Sequence, residues 1–404
     1  MTVDHQPAAR IACVGGGPGG LLLAILAIQL PDVESVTVYE RSPEGVTYGW
    51  GVVFWDDLLD QLHAHDAPTA AMIREAAFTW HDQIIDVQGG EPANLGGHGY
   101  AMGRRALRGL LTERARSLGV EMRFDQAVGG VAELEGYDLV VAADGVNSGI
   151  RQAEPAFGTS IERGRNKYIW LGTSKVFPSF TFPFARTGAG WLWAHAYGYS
   201  DDSSTFVVET TPETWAALGF DALGPDDTAR ELERIFADQL DGHELRMPTG
   251  TRDTTPWLAF QTVRNVRWQH GKVALLGDAA HTTHFTIGSG TRLALQDAMA
   301  LAAELGTHRA AEPALAAYER RRTAELAPVA AEAAASARWF EDIDRYINRE
   351  PRAFAQLLIN RRRLLARRAP AAYIGLRKLR KAAAAAPIPA PARAAIRKVK
   401  ALAR

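Results

Sequence analysis

The chain has 404 residues, enough for one composite fold or two domains with a sizeable core. Its formal net charge of −1 argues against general nucleic-acid binding, and a single cysteine, Cys13, excludes an intramolecular disulfide framework and fits a reducing cytoplasm. No secretory leader is legible and no apolar run approaches the roughly 18 residues of a membrane span, so a soluble cytoplasmic protein, monomeric or homodimeric, is expected.

Arg10 to Val14 reads as a short apolar strand, followed by Gly15-Gly16-Gly17-Pro18-Gly19-Gly20 and a helical run from Leu21 to Leu30. A second strand, Ser35 to Tyr39, ends at Glu40. Together these form a βαβ unit of dinucleotide-binding length. Helices are expected over Asp56–His63, Thr69–Ala76 and Arg104–Leu118. A strand over Asp138–Ala142 then runs into Ala143-Asp144-Gly145.

Lys167 to Glu209 is rich in Trp, Phe, Tyr, Thr and Val and reads as antiparallel sheet, with turns at Gly172, Pro178, Pro183 and Gly188–Gly190. The strand Val273–Leu276 leads into Gly277-Asp278, and a helix covers Ser289–Leu305. From Pro313 onward the chain reads as helical, with a linker over Ala382–Ala394. The net charge hides an asymmetry: residues 351–404 hold 15 Lys and Arg and no acid, while the first 350 residues hold 30 basic and 46 acidic side chains.

The spacing Gly15-x-Gly17-x-x-Gly20 has a mechanical content. The first glycine permits the tight turn out of the strand, the second lets a diphosphate approach the backbone, and the third lets helix and strand pack closely. The helix N-terminus then meets the diphosphate with backbone N–H groups. Glu40, 20 residues after Gly20, is placed to accept from an adenosine ribose, which favours FAD or NAD over a 2′-phosphorylated nucleotide. In the second half, Asp278 at a strand end suits the ribityl hydroxyls of a flavin. Gly288-Ser289-Gly290-Thr291 opens a helix whose N–H groups could meet the electron-rich edge of the ring. Alone, each motif has an ordinary reading as a glycine-rich turn.

Together, Gly15–Gly20, Ala143-Asp144-Gly145 with Ser148 and Arg151, and Gly277-Asp278 resemble the three fingerprints of the para-hydroxybenzoate-hydroxylase-like (group A) flavin monooxygenases. Tyr48–Phe54, Gly103-Arg104-Arg105, Ala280–Thr291, and Trp339-Phe340-Glu341 with Arg345-Tyr346 are similar to the branch containing salicylyl-CoA 5-hydroxylase and anthraniloyl-CoA monooxygenase. The violacein-pathway hydroxylases are similar at the first and third of these stretches.

The resemblance implies an α/β composite: a Rossmann-like FAD-binding domain (1–160 with 250–330), an inserted antiparallel-sheet substrate domain (161–249) and a helical, basic C-terminal region (331–404). It implies non-covalent FAD, held by Gly15, Gly17, Pro18, Gly19, Gly20, Glu40, Arg41, Gly51, Val52, Arg104, Asp144, Gly145, Arg151, Asp278, Gly288, Ser289, Gly290 and Thr291. NADH or NADPH would be the co-substrate. It further implies that the reduced flavin forms a C4a-hydroperoxide with O₂, whose distal oxygen is attacked by an electron-rich ring.

Aryl-CoA ranks first as substrate, a free aromatic acid or indole second, and a carrier-bound aryl thioester third. His284, His281 and His195 are the candidates for taking a phenolic proton, with hydrogen-bonded structural histidines as the plainer alternative. A flavin halogenase is disfavoured because Trp191-Leu192-Trp193 lacks the Ile-Pro that follows in that group. A flavin dehydrogenase or reductase, or a non-catalytic flavoprotein, are remoter alternatives. The basic C-terminal residues read first as a solvated helix face, then as contacts for CoA phosphates, then as a surface for membrane or RNA.

Overall fold

The computed structural model describes residues 9–47, 49–248, 257–308 and 310–385, with side chains to residue 379. Two compact units divide the chain, Met1–Glu341 and Asp342–Arg404.

The apolar runs in the first unit fold into a six-stranded sheet. The buried residues Ile11–Val14, Val36, Val38, Leu139–Ala142 and Val273–Leu275 are covered on both faces, which is why they form near-continuous hydrophobic runs instead of alternating ones. Cys13 lies fully buried here, and desolvation pushes its thiol up to about 12. From one edge the strands run Gln269–His270, Val273–Leu275, Leu139–Ala142, Ala9–Val14, Val33–Tyr39 and Glu121–Arg123; all are parallel except the first. The register pairs Val14 with both Tyr39 and Ala142, and Ala142 with Leu275. Three strands distant in sequence therefore end at one level, and the loops that leave them meet there.

Helix α1 (Pro18–Ala27) starts three residues before the expected Leu21, so the fingerprint's last three residues are its first turn. Pro18 sits at N1, where its missing N–H is no loss. Helices α2 (Arg104–Ser117), α3 (Gly290–Thr307) and α4 (Ala311–Glu341, continuous through Pro328) complete the frame. A Cβ on Gly19 would stand 2.6 Å from Leu276 Cδ2 and 3.2 Å from Ala294 Cβ of α3, which shows how closely α1 and α3 approach.

The second sheet is larger than the expected 161–249 insertion. In order it contains Leu245–Arg246, Ser160–Thr173, Ser203–Thr210, Trp191–Ser200, Phe180–Arg186, Gln83–Val87 and Ala93–Asn94, and Leu258–Arg264 pairs with Ser160–Thr173. It is not wholly antiparallel, because Phe180–Arg186 runs parallel to Gln83–Val87. Pro183 makes no turn; it lies within Phe180–Arg186, and the pairing with Trp191–Ser200 is interrupted at Phe182 and Pro183, where the ladder lacks a donor. Gly172 likewise sits inside a strand, with Trp50 packed where a side chain would be. Alternation sends Trp193, His195 and Tyr197 to one face, while Leu192, Ala194 and Ala196 join Phe206, Phe220 and Phe236 in a core on the other.

The second unit is helical over Asp344–Ile347, Pro351–Ile359, Leu364–Arg368 and Pro370–Ala385. Tyr346 Oη donates to the Arg367 carbonyl at 3.1 Å. The linker expected over Ala382–Ala394 is helical up to Ala385 and otherwise lies outside the described residues. Among the described residues no helix is long and apolar enough to cross a membrane.

Candidate active site

The three glycine motifs converge on a cleft of about 510 Å³ at the strand ends, lined by Gly15–Gly20, Glu40, Arg41, Arg104, Asp144, Gly145, Gly277, Asp278, Gly290 and Thr291. Gly15 has φ +112°, and a Cβ there would sit 2.3 Å from the Ala143 carbonyl oxygen, so the first two motifs touch backbone to backbone. At Gly17 a Cβ would meet nothing within 4 Å. A bulky group can therefore reach the N-terminus of α1. Asp144 Oδ1 is buried without a hydrogen-bond partner among the described residues, while its Oδ2 accepts from the Gly149 N–H at 2.9 Å. An open glycine at a helix N-terminus and an unspent carboxylate oxygen fit a dinucleotide with ribose and diphosphate groups to satisfy.

Glu40 behaves differently from its sequence reading. Its Oε2 accepts from the Gly16 N–H at 3.0 Å and its Oε1 from the Ser42 N–H at 2.8 Å, and Arg108 lies 3.5 Å away. The carboxylate braces the glycine loop as well as lining the cleft. Arg108 was not foreseen, although it stands one helical turn after Arg104 on the same face of α2 and donates to the Val46 carbonyl.

Asp278 faces the cleft with its carboxylate open to it and the loop behind it packed in protein. Desolvation raises its carboxyl, opposed by His281 and Arg104, while Asp297 adds to the rise. Arg104 bridges the cleft and the second sheet: its guanidinium lies 4.1 Å over the Trp170 ring. Burial lowers Arg104, and Asp278, Tyr197 and Tyr168 counter it.

Five expected cofactor residues do not line this cleft. Arg151 is 1% exposed and points into the protein, where it donates to Val146 O at 2.6 Å and Ala279 O at 3.1 Å. It clamps two motif loops together from behind. Gly51 and Val52 form a strand paired with Met102 and Gly103, and Gly51 N donates to Thr205 Oγ1 at 2.8 Å. Gly288, with φ +61°, lies against Val53 and Trp55. Ser289 Oγ is 3.2 Å from Thr283 Oγ1. Tyr48 lies outside the described residues.

The three histidines take separate positions. His281 Nε2 is 2.9 Å from Asp297 Oδ2, and Asp297, fully buried, also accepts from Arg322 Nε at 2.7 Å and Gly277 N at 3.0 Å. Asp297 is held below the ordinary carboxylate range: desolvation opposes this, and His281 and Arg322 prevail. His284 Nδ1 lies 3.0 Å from Thr286 Oγ1 and 3.4 Å from Thr286 N, so its turn-side nitrogen is engaged by Thr286. His284 stacks on Phe285 at 4.5 Å. His195 is 4% exposed and packs against Phe182 at 5.1 Å, Phe340 at 5.5 Å and Phe285 at 5.6 Å. Tyr168, 4.8 Å from Phe285, and Tyr197 close this aromatic face; burial pushes both phenols up to about 12, so they stay protonated. Phe285 and Phe340 stand in the sequence only as members of the stretches Ala280–Thr291 and Trp339-Phe340-Glu341; the fold reveals that both pack on His195.

The FAD binding domain family profile matches residues 119–333. The chain is 41% identical over 350 residues to the salicyloyl-CoA 5-hydroxylase of a Streptomyces species, covering 84% of this chain and 66%, just under two thirds, of that protein. It is 36% identical over 344 residues to the 3-hydroxy-4-methyl-anthranilyl-[aryl-carrier protein] 5-monooxygenase of Streptosporangium sibiricum, covering 82% and 89% of the two chains. Among solved structures, the tetrameric form of 2-methyl-3-hydroxypyridine-5-carboxylic acid oxygenase superposes with a TM-score of 0.64 at 19% identity, covering 83% of this chain and 93% of that one, a likeness of fold.

Proposed function

Because the chain belongs to the FAD-binding-domain family of flavin-dependent aromatic monooxygenases, we propose that it hydroxylates an aromatic ring held as a CoA thioester, such as salicyloyl-CoA at position 5, using NADH or NADPH and O₂. The observation that carries this reading is the aromatic face around His195, whose Tyr168 and Tyr197 lie beside Arg104 of the FAD cleft and whose Phe285 stacks on His284. Two relatives named for aryl thioesters support the substrate class.

Bound FAD supplies the redox and oxygen-transfer chemistry. The chain's own groups hold, orient and dry the site. Gly17 and the N–H groups of α1 would hold the FAD diphosphate, Asp278 its ribityl hydroxyls, and the N–H groups of the Gly290–Thr291 turn of α3 its ring. The Phe side chains around His195, edge-on or tilted to its ring, give a water-poor aromatic surface for the substrate ring. In this reading His195 takes a proton from the ring's hydroxyl, and His284 holds the substrate through the ring nitrogen that Thr286 leaves free.

The test is NADH and O₂ consumption, with product mass, across paired CoA esters and free acids of salicylate and anthranilate. Stimulation and a product 16 mass units heavier with the esters alone is expected. Equal stimulation by the free acids would end the thioester reading. A second reading, an aryl group on a carrier protein, is favoured by the Streptosporangium relative and gives turnover only with the loaded carrier.

A further inference from the structure

Gly277 and Asp278 line the FAD cleft, while the next residues of the same loop, Ala280 to His284, line a second cleft of about 360 Å³. That size falls within the range of small-molecule sites. None of the dinucleotide fingerprints reaches it. Its other walls are the strand Leu258–Arg264, the start of Ser160–Thr173, and α4.

Along α4, Ala327, Ala330, Ala334 and Ala337 recur every three or four residues, so their methyl groups share one face and leave a smooth trough. Opposite them, the cleft reaches Phe260, whose ring is 4.8 Å from His284. His284 stacks on Phe285, and Phe285 packs against His195. One end of the trough is therefore two rings away from the aromatic face where the substrate ring is placed. The rim carries Arg163 and Arg338, both exposed, with no ion-pair partner among the described residues. Arg264, also on the wall, is matched by Glu162 at 3.1 Å.

Resting on the thioester reading above, we infer that this cleft takes the phosphopantetheine arm of the substrate. The arm's gem-dimethyl and methylene groups lie on the alanine face, and its phosphate meets Arg163 and Arg338. A thioester-linked ring needs such a channel, because the arm must leave the closed aromatic site without crossing the FAD cleft. An apolar trough that ends at two unmatched guanidinium groups suits a chain that is apolar along its length and anionic at its end. Coenzyme A and a carrier protein's prosthetic arm share this chemistry.

The experiment uses FAD-loaded protein and titration calorimetry with three unreactive thioesters, benzoyl-CoA, benzoyl-phosphopantetheine and benzoyl-pantetheine, and with benzoate for comparison. In the double variant Arg163→Glu/Arg338→Glu, Kd for the two phosphorylated ligands rises about tenfold or more, while benzoyl-pantetheine shifts less than about twofold. Ala334→Phe, which fills the trough, weakens all three. The double variant Arg230→Glu/Arg234→Glu, matched in charge at two exposed helical positions paired with Asp227 and Glu231, serves as control. Matching losses for both phosphorylated ligands support the arm's phosphate as the recognised group, and tighter binding of the CoA ester identifies free coenzyme A as its source.

Unchanged Kd in both cleft variants, with wild-type turnover of thioesters intact, overturns the cleft assignment and leaves the thioester reading standing. Loss of NADH affinity in place of thioester affinity also overturns it. Benzoyl-CoA binding no tighter than benzoate in the wild type fails the thioester reading itself, and the cleft assignment with it.

Discussion

Arg151 Nη1 donates to the carbonyl oxygen of Ala279 at 3.1 Å, and its Nη2 donates to that of Val146 at 2.6 Å, so one buried guanidinium ties the second motif loop to the third. Residues 128 positions apart are fixed by a side chain that does not line the cofactor cleft. Charge-assisted bonds of this kind are worth roughly 1.5–3 kcal/mol each. Arg151→Ala should therefore destabilise the protein by about 3 kcal/mol and weaken FAD retention, and Arg151→Lys, which cannot fork to both carbonyls, should recover less than half. Thermal melts with flavin absorbance of the desalted protein measure both effects; an unchanged melting temperature would remove the clamp.

Two glycines of one fingerprint should respond in opposite ways. Gly15→Ala forces a Cβ to 2.3 Å from the Ala143 carbonyl at φ +112°, so the fold itself should lose at least about 2 kcal/mol. Gly17→Ala meets nothing within 4 Å and should leave the apoprotein's stability within about 0.5 kcal/mol while lowering FAD affinity. Denaturant curves of the apoproteins beside FAD titrations separate these outcomes, and equal stability losses would contradict the geometry.

Asp297 predicts how the protein fails in acid. His281 and Arg322 hold its carboxyl below the ordinary value, so between the native and unfolded values the unfolded chain binds more protons and stability rises with pH. That contribution is complete above the unfolded value, near 3.9, and is lost as pH falls through the native one. Asp297→Asn should be less stable at pH 7 and should flatten the acid limb of the stability curve. A variant with the wild-type slope below pH 4 would show that other carboxylates govern it.

The two histidines beside Phe285 should separate by pH. His284 Nδ1 is engaged by Thr286, so His284→Gln, which keeps a polar side chain able to bond there, should retain more turnover than His284→Ala with the pH profile unmoved. His195→Gln should instead lower kcat by roughly 10²-fold or more and flatten the acid limb, the mark of a lost proton acceptor. A flattened limb in the His284 variants alone would exchange the two roles.

The FAD cleft was legible in the sequence because glycine spacing and terminal carboxylates are local features, and the register Val14–Ala142–Leu275 brings them together. The sheet partners were not legible. A period-two pattern states which face of Gln83–Val87 is buried, but not that the strand will run parallel to Phe180–Arg186, almost a hundred residues on. Arg151 read as a cofactor ligand because its place in the motif is visible and the direction of its side chain is not. The second cleft left no sequence mark, since an alanine-rich helix face looks the same whether it packs or gapes.

Cys13, the sole cysteine of the chain, lies fully buried in the central sheet with its thiol pushed up to about 12. It carries almost no thiolate at neutral pH and offers alkylating reagents no surface to attack. The native protein therefore behaves towards maleimides as though it had no thiol, and labelling of the wild type becomes a clock for global opening. A cysteine introduced at any exposed position would be the single reactive handle on the folded molecule, with no background to remove first.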